Sequence, residues 1–290
     1  MNRARFAFLL VFIVLLTFTL ACSLVARPTA TPFPDDATVG PASTVEPPMP
    51  TATALPPTAV VPPANTTPFH YNGIEFDYPN ALAGSLEAQT VAEISGGDVA
   101  PWEIGPEYRQ VAFQGYVLPD TFHVPQMLVY PVERFIELNP AVGDVVDDLR
   151  AVLANPAAAY ESLPLLPPWN AAQLIHVQVQ AIQFKNGSGI RYLTQYAQSA
   201  SPINNRDLFY TFQGLTNDGQ YYISLVLPVS HPSLPATFEE FMAGTDYNAF
   251  AGEYVSYLSQ VTMDLNALAP ESFTPSLPDL DAMLATLSVR

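Results

Sequence analysis

Nucleophile–base chemistry needs a hydroxyl or thiol beside an imidazole, and the chain offers four histidines and one cysteine for it. The histidines are His70, His123, His176 and His231, and no two of them stand at a His-x-x-x-His spacing that would turn both rings toward one metal ion. His176 alternates onto the polar side of an apolar run and reads as a surface or sheet-edge residue. Ser230-His231-Pro232 places a serine next to an imidazole, but adjacent residues do not reach the geometry of a nucleophile and its base, which is assembled in space. Ser188 lies between Gly187 and Gly189; a nucleophile elbow is Gly-x-Ser-x-Gly between a strand and a helix, whereas Gly-Ser-Gly reads as a turn. The residues therefore predict no catalytic constellation and a chain that is not an enzyme. An envelope hydrolase with a dispersed site, drawing on Ser230, His231 or His176, is the alternative.

Carboxylates are plentiful but poorly arranged for a cation. Asp144, Asp147 and Asp148 fall on one helix, and Asp246 and Asn248 near the start of another. A calcium site gathers several oxygens on a loop with a glycine at its sharp turn, and neither group has that form. Asp279 and Asp281 read as charges near a helix N-terminus, where the helix dipole favours them. No metal site, glycine-rich phosphate loop or redox motif is predicted, and hence no cofactor. The tyrosines carry more interest. Tyr192 and Tyr196 share one side of a predicted strand, and Tyr221 and Tyr222 open another. Aromatic rows on an exposed sheet bind sugars or peptides, and the same rows under a helix are core. These four are the candidate ligand-binding residues.

Lys+Arg number 10 against 27 Asp+Glu, a formal charge of −17. Such a surface repels nucleic acid and anionic headgroups, so nucleic acid is not an expected partner. Charged residues are only 13% of the chain and apolar ones 49%, enough for one core.

The single cysteine, Cys22, closes an N-terminal signal. Arg3 and Arg5 are a positive n-region, Phe6–Leu20 is uncharged, and small residues follow. Ala21-Cys22 resembles the end of the lipobox of bacterial lipoproteins, with Thr19 where leucine is usual and Leu20 where a small residue is usual. The resemblance implies cleavage before Cys22, acylation of its thiol, and attachment to the cell membrane through lipid. The other reading is an uncleaved anchor running to about Ala26. Both put the rest of the chain on the extracytoplasmic face, because positive n-regions stay inside.

From Arg27 to Pro68 the composition shifts to Pro, Thr, Ala and Val, with 12 of the 30 prolines. Proline removes donors and favours extended polyproline backbone, so this stretch reads as a disordered spacer. At about 3.1 Å per residue it reaches on the order of 100 Å. The division is thus 1–21 signal peptide, 22–68 acylated cysteine and spacer, 69–290 globular domain.

That domain opens with a hairpin: Asn72-Gly73 separates two alternating runs, and Ile74, Phe76 and Tyr78 share a side. Strands follow at Ser85–Ile94, Tyr108–Leu118 and His123–Tyr130. Val142, Val145, Val146, Leu149, Val152 and Leu153 repeat at helical spacing, after a shorter helix at Val132–Leu138. Leu174–Phe184, Ile190–Gln198, Leu208–Leu215 and Tyr221–Leu227 then form a meander, with turns at 185–189 and at Asn217-Asp218-Gly219. Thr237 and Glu240 form a capping box before the stripe Phe250, Tyr254, Tyr257, Leu258, Val261 and Leu265. A last short helix holds Leu280, Met283, Leu284 and Leu287. The expected class is α+β, a single antiparallel sheet of about seven or eight strands with helices packed on it.

Tyr71-Asn72-Gly73-Ile74-Glu75-Phe76-Asp77-Tyr78-Pro79, followed by this order of elements, resembles the PsbP/Mog1-like sandwich. That resemblance implies binding of a protein partner or assistance to a membrane complex. The tether, the acidity and the lack of a catalytic constellation predict a non-enzymatic extracytoplasmic module that binds an envelope protein, an envelope polymer or a small ligand.

Overall fold

Alternating apolar residues and Asn/Asp-Gly turns fold the part of the chain that the computed structural model describes, residues 65–290, into strands and helices. In order these are β1 (Thr66–Tyr71), β2 (Ile74–Pro79), β3 (Ser85–Val91), β4 (Tyr108–Gln114), β5 (Gln126–Pro131), α1 (Val132–Leu138), α2 (Ala141–Ala154), β6 (Ala172–Gln173) and β7 (Val177–Phe184). Then come β8 (Gly187–Thr194), β9 (Tyr196–Ala197), β10 (Phe209–Thr216), β11 (Tyr221–Pro228), α3 (Phe238–Met242), α4 (Tyr247–Gly252), α5 (Tyr254–Ala267), α6 (Leu277–Ala285) and β12 (Ser288–Val289). The expected signal peptide, Cys22 and the expected spacer as far as residue 64 lie outside the described residues. β1 begins at Thr66, three residues ahead of the boundary that composition suggests.

A seven-stranded antiparallel sheet, in the order β3-β4-β5-β11-β10-β8-β7, forms the centre. Two meanders, β3-β4-β5 and β7-β8-β10-β11, meet where β5 pairs with β11. The expectation of a single sheet needs correction. The opening hairpin joins β12 in a separate three-stranded sheet, and β6 pairs with β9 alone. Burial decides this. Ile74, Phe76 and Tyr78 turn their side chains down onto the large sheet, with the Phe76 ring 6.4 Å from that of Phe113 on β4. A hairpin added to an edge would leave that row half exposed.

Both faces of the large sheet are covered, which is why every residue of β10 is buried. Ile223, Leu225, Leu227, Tyr210 and Phe212 face the larger core beneath the small sheet and α6. Tyr130, Tyr192 and Tyr222 face the second core beneath α1, α2 and Leu163–Leu166. Val142, Val146, Leu149 and Val152 are the buried stripe of α2. The capping box works partly as predicted: Thr237 Oγ1 accepts from the Glu240 amide, while Glu240 reaches back to the Ala236 amide. The long aromatic stripe is split between α4 and α5, and Leu265 is the buried residue of α5.

Two local departures have clear causes. Residues 187–189 do not form a turn. β8 starts at Gly187, and a Cβ on Gly189 would lie 2.4 Å from the Phe212 ring, so the glycine leaves room for an aromatic across the strands. In β7 a bulge falls between Val177 and Gln180, with Gln178 at φ 55°. The extra residue swaps faces, so Ile182 and Phe184 are buried and Val179 and Ala181 are exposed, against the simple alternation. The bulge is satisfied by α5: the Gln178 amide donates to Asn266 Oδ1 at 2.8 Å, and its side-chain amide donates to the Leu265 and Leu268 carbonyls.

Candidate functional site

The four candidate tyrosines do not form one row. Tyr192 and Tyr222 lie fully buried in the second core. The Tyr192 hydroxyl donates to the Pro164 carbonyl at 2.8 Å, and that of Tyr222 to Gln213 Oε1 at 2.8 Å. Burial pushes both phenols well above their ordinary value. Gln213 completes its own set with bonds to the Leu166 amide, Thr211 and Ser224, so this polar cluster is satisfied from within. Tyr196 belongs to an aromatic group with Trp169, Phe209 and His123; the His123 ring stacks on Trp169 at 5.0 Å and meets Phe209 at 4.4 Å. Tyr221 lines two cavities.

The histidines stay apart. His70 is exposed on β1. Burial draws the His123 pKa down to about 4, with Asp207 opposing, and it lowers that of His176 as well. His231 Nδ1 lies 2.7 Å from Ser233 Oγ and accepts from the Ser233 amide at 3.1 Å, a turn closed by neighbours in sequence. Its ring packs on Phe273, with 5.1 Å between the ring centroids. Ser230 is held by a backbone bridge to Thr274. Among the described residues no three His, Cys, Asp or Glu gather around a point that would hold a metal. Asp147 pairs with Arg150 at 2.7 Å on the exposed side of α2, and Asp246 caps α4 through the Ala249 amide.

Asp281 is not a solvated helix charge. It is 5% exposed and accepts from Arg191 Nε at 3.0 Å and Nη2 at 2.8 Å, while the Tyr210 hydroxyl donates to it at 2.9 Å. Arg191 also bonds to the Gln180 side chain and the Gln178 carbonyl. Burial alone would lower the Arg191 pKa; the hydrogen bonds and charge of Asp281 outweigh it and hold the pKa above its ordinary value. The network pins α6 to the sheet through a guanidinium with every side engaged.

Arg109 on β4 is the contrast. It too points inward, sharing a side with Val111 and Phe113, and is 8% exposed. Both of its hydrogen bonds run through Nη1, to the main-chain oxygens of Asn72 at 2.7 Å and Arg290 at 2.8 Å. Nη2 is buried without a partner. The guanidinium carbon sits 4.4 Å above the Tyr221 ring, a cation–π contact. The ion pairs of the described residues join Arg134 to Glu93 and Glu137, Arg150 to Asp147, and Arg191 to Asp281; Arg109 has no acidic side chain. In a chain with 27 Asp+Glu that is not for want of carboxylates. A buried donor left without a partner costs on the order of 1–3 kcal/mol, and more where the group is charged. Burial pulls the Arg109 pKa down, with Tyr221 opposing.

Arg109 lines a cavity of about 290 Å³ with Asn72, Thr90, Glu107, Tyr108, Tyr221 and Arg290, and Val129 and Pro131 complete its wall. The elements that build it come from all parts of the domain: the hairpin turn, β3, β4, β5, the start of β11 and the last residue of the sequence. Gly73 is indispensable to it, since φ is +85° and a Cβ would lie 2.3 Å from the Arg290 oxygen. A broader, shallower hollow, lined by Val132, Glu133, Arg134, Glu137, Asp218 and Gln220, adjoins it across Pro131 and Tyr221. The cavity brings a guanidinium and the face of an aromatic ring together with the exposed carboxylate of Glu107. Sequence reasoning missed Arg109, although its signal was there: an arginine at the inward position of Arg109-Gln110-Val111-Ala112-Phe113.

No protein-family model matches the chain, and no curated protein matches it.

Proposed function

We propose that the chain is a lipid-tethered extracytoplasmic protein whose domain is a non-enzymatic binding module, with the cavity at Arg109 and Tyr221 as its ligand site. The observation that carries this reading is the half-used guanidinium of Arg109, buried without an acidic side chain at the edge of a cavity. A fold that had no use for the charge would replace it with an apolar residue at little cost or a gain. The tether is supported by the Arg3/Arg5 n-region, the apolar run and Cys22, and the likeness of Tyr71–Pro79 to the PsbP/Mog1-like pattern favours an interaction role.

The envelope hydrolase is the second reading, and the His231–Ser233 contact is the observation in its favour. That contact closes a local turn, and neither residue lines either cavity described above.

A thermal unfolding scan of the full chain in mild detergent, with sugars, sugar acids, short peptides and divalent cations, tests the binding reading. A ligand at a hundred times its dissociation constant stabilises the folded state by about 2.7 kcal/mol. The expected outcome is a shift that Tyr221→Ala abolishes. A shift that Tyr221→Ala leaves intact would move the site elsewhere, and turnover of an ester or glycoside probe that depends on Ser233 would favour the hydrolase.

A further inference from the structure

The two edges of the seven-stranded sheet are finished differently. β7 is bulged at Gln178, and α5 covers it through Asn266 and the carbonyls of Leu265 and Leu268. β3, at the other edge, has no buried residue, no proline, no lysine and one charge, Glu87. We propose that β3 is an interface: it pairs antiparallel with β3 of a second copy of this chain, about a two-fold axis beside Ala88, so that the two large sheets become one. The inference goes beyond the cavity reading and does not depend on it.

Where the main chain of β3 points decides what it can meet. The Phe113 amide donates to the Pro125 carbonyl at 3.0 Å, so Phe113, and with it Val111 and Arg109, turns its main chain toward β5. Gln110 and Ala112 therefore bond to Gln89 and Glu87 on β3. The amides and carbonyls of Leu86, Ala88 and Thr90 point away from the sheet, and among the described residues no hydrogen bond reaches them. An open edge of this kind is a template for another strand, and proteins blunt it with lysine, proline, a bulge or a covering helix. This chain does so at β7 and leaves β3 bare.

The register favours the same strand as partner. With Ala88 opposite the partner's Ala88, Leu86 stands opposite the partner's Thr90, and the outward groups form about six main-chain hydrogen bonds. Between them Glu87 stands opposite the partner's Gln89, and Gln89 opposite the partner's Glu87, so no two like charges face each other. Gln89 Nε2 donates to Gln110, which in turn donates to Gln126, and Glu87 Oε2 accepts from Gln114. The second hydrogen of the Gln89 amide and Oε1 of Glu87 are left to meet across the axis, which extends this polar ladder from one copy into the next. A two-fold contact is closed, and with β7 covered the assembly stops at two. One strand pairing is a small interface, so the expected dissociation constant is in the micromolar range or weaker.

A cross-link that depends on register tests this. Cys22→Ala leaves the full chain without a thiol, and Glu87→Cys and Gln89→Cys are then introduced separately, both at exposed positions. In the proposed pair, residues 87 and 89 face each other with Cα atoms about 4.5 Å apart, within reach of a disulfide, whereas 87 to 87 and 89 to 89 are diagonals of about 7–8 Å. Under mild oxidation in mild detergent, a mixture of the two variants is expected to give at least about tenfold more covalent dimer than either alone. Sedimentation of the parent chain is expected to show monomer and dimer and nothing larger. Gln89→Glu sets carboxylates opposite each other on both sides of the axis and is expected to weaken dimerisation about fivefold or more. Equal cross-linking of the mixture and the single variants, as from two chains merely sharing a micelle, would overturn the pairing. So would a chain that stays monomeric up to about 1 mM, a dimer indifferent to Gln89→Glu, or species larger than a dimer.

Discussion

Two arginines on inward-facing strand positions meet opposite fates: one guanidinium is engaged on every side, and the other has a buried nitrogen without a partner. Arg191 finds Asp281, Tyr210 and Gln180, and its guanidinium is used up. Removing one partner strands the other in the core, so Asp281→Leu is expected to cost about 3–5 kcal/mol in denaturant unfolding. Arg191→Met with Asp281→Leu is expected to recover most of it; a double variant as unstable as the single one would contradict a paired role. His123 supplies a pH dependence. Folding lowers its pKa from 6.5 to about 4 through burial against Trp169 and Phe209, so the unfolded chain takes up that proton first. The contribution is complete above pH 6.5 and is lost as pH falls toward 4. His123→Phe is therefore expected to gain on the wild type steadily over that interval, and parallel stability curves would contradict it.

At the scale of elements, alternation and turn chemistry made much of the domain legible. The Asn72-Gly73 hairpin, the stripe of α2 and the order of strands in the meander β7-β8-β10-β11 follow period and punctuation, while the start of β8 and the inward face of β7 do not. Legibility failed where a partner distant in sequence decides. Nothing in Tyr71–Pro79 says that it pairs with Ser288-Val289, two residues at the far end of the sequence. Gly189 reads as a turn residue until the Phe212 ring is seen to occupy its side-chain space. The bulge at Gln178 is set by Asn266 and by the last carbonyls of α5, which cover the edge strand. Asn266→Ala leaves the Gln178 amide unpartnered and is expected to cost about 1–2 kcal/mol. Hydrogen exchange at Gln178 should rise with it, whereas unchanged protection would mean that α5 does not hold the edge.

Across the whole molecule, acidity and tether belong together. In the function proposed above, a net charge of −17 would keep the domain off anionic headgroups, and the proline-rich composition of 27–68 would give a spacer with reach from a lipid mooring. Among the described residues no helix is long and apolar enough to cross a membrane. Cys22→Ala is accordingly expected to abolish incorporation of labelled palmitate in a bacterial host. Retained labelling would place the lipid elsewhere. The candidate site was the least legible feature, because its lining is drawn from residue 72 to residue 290 and its central residue is defined by a partner it lacks.

The most direct test of that site is spectroscopic. The chain has nine arginines, few enough for their Nε–H resonances to be resolved and assigned with Arg109→Lys. Titrating the compound that shifts the thermal scan into the full chain is predicted to move the Arg109 Nε–H signal, whose group lines the cavity, and to leave Arg191 in place because its guanidinium is fully engaged by Asp281, Gln180 and Gln178. An Arg109 signal that stays in place while that compound binds would contradict the account.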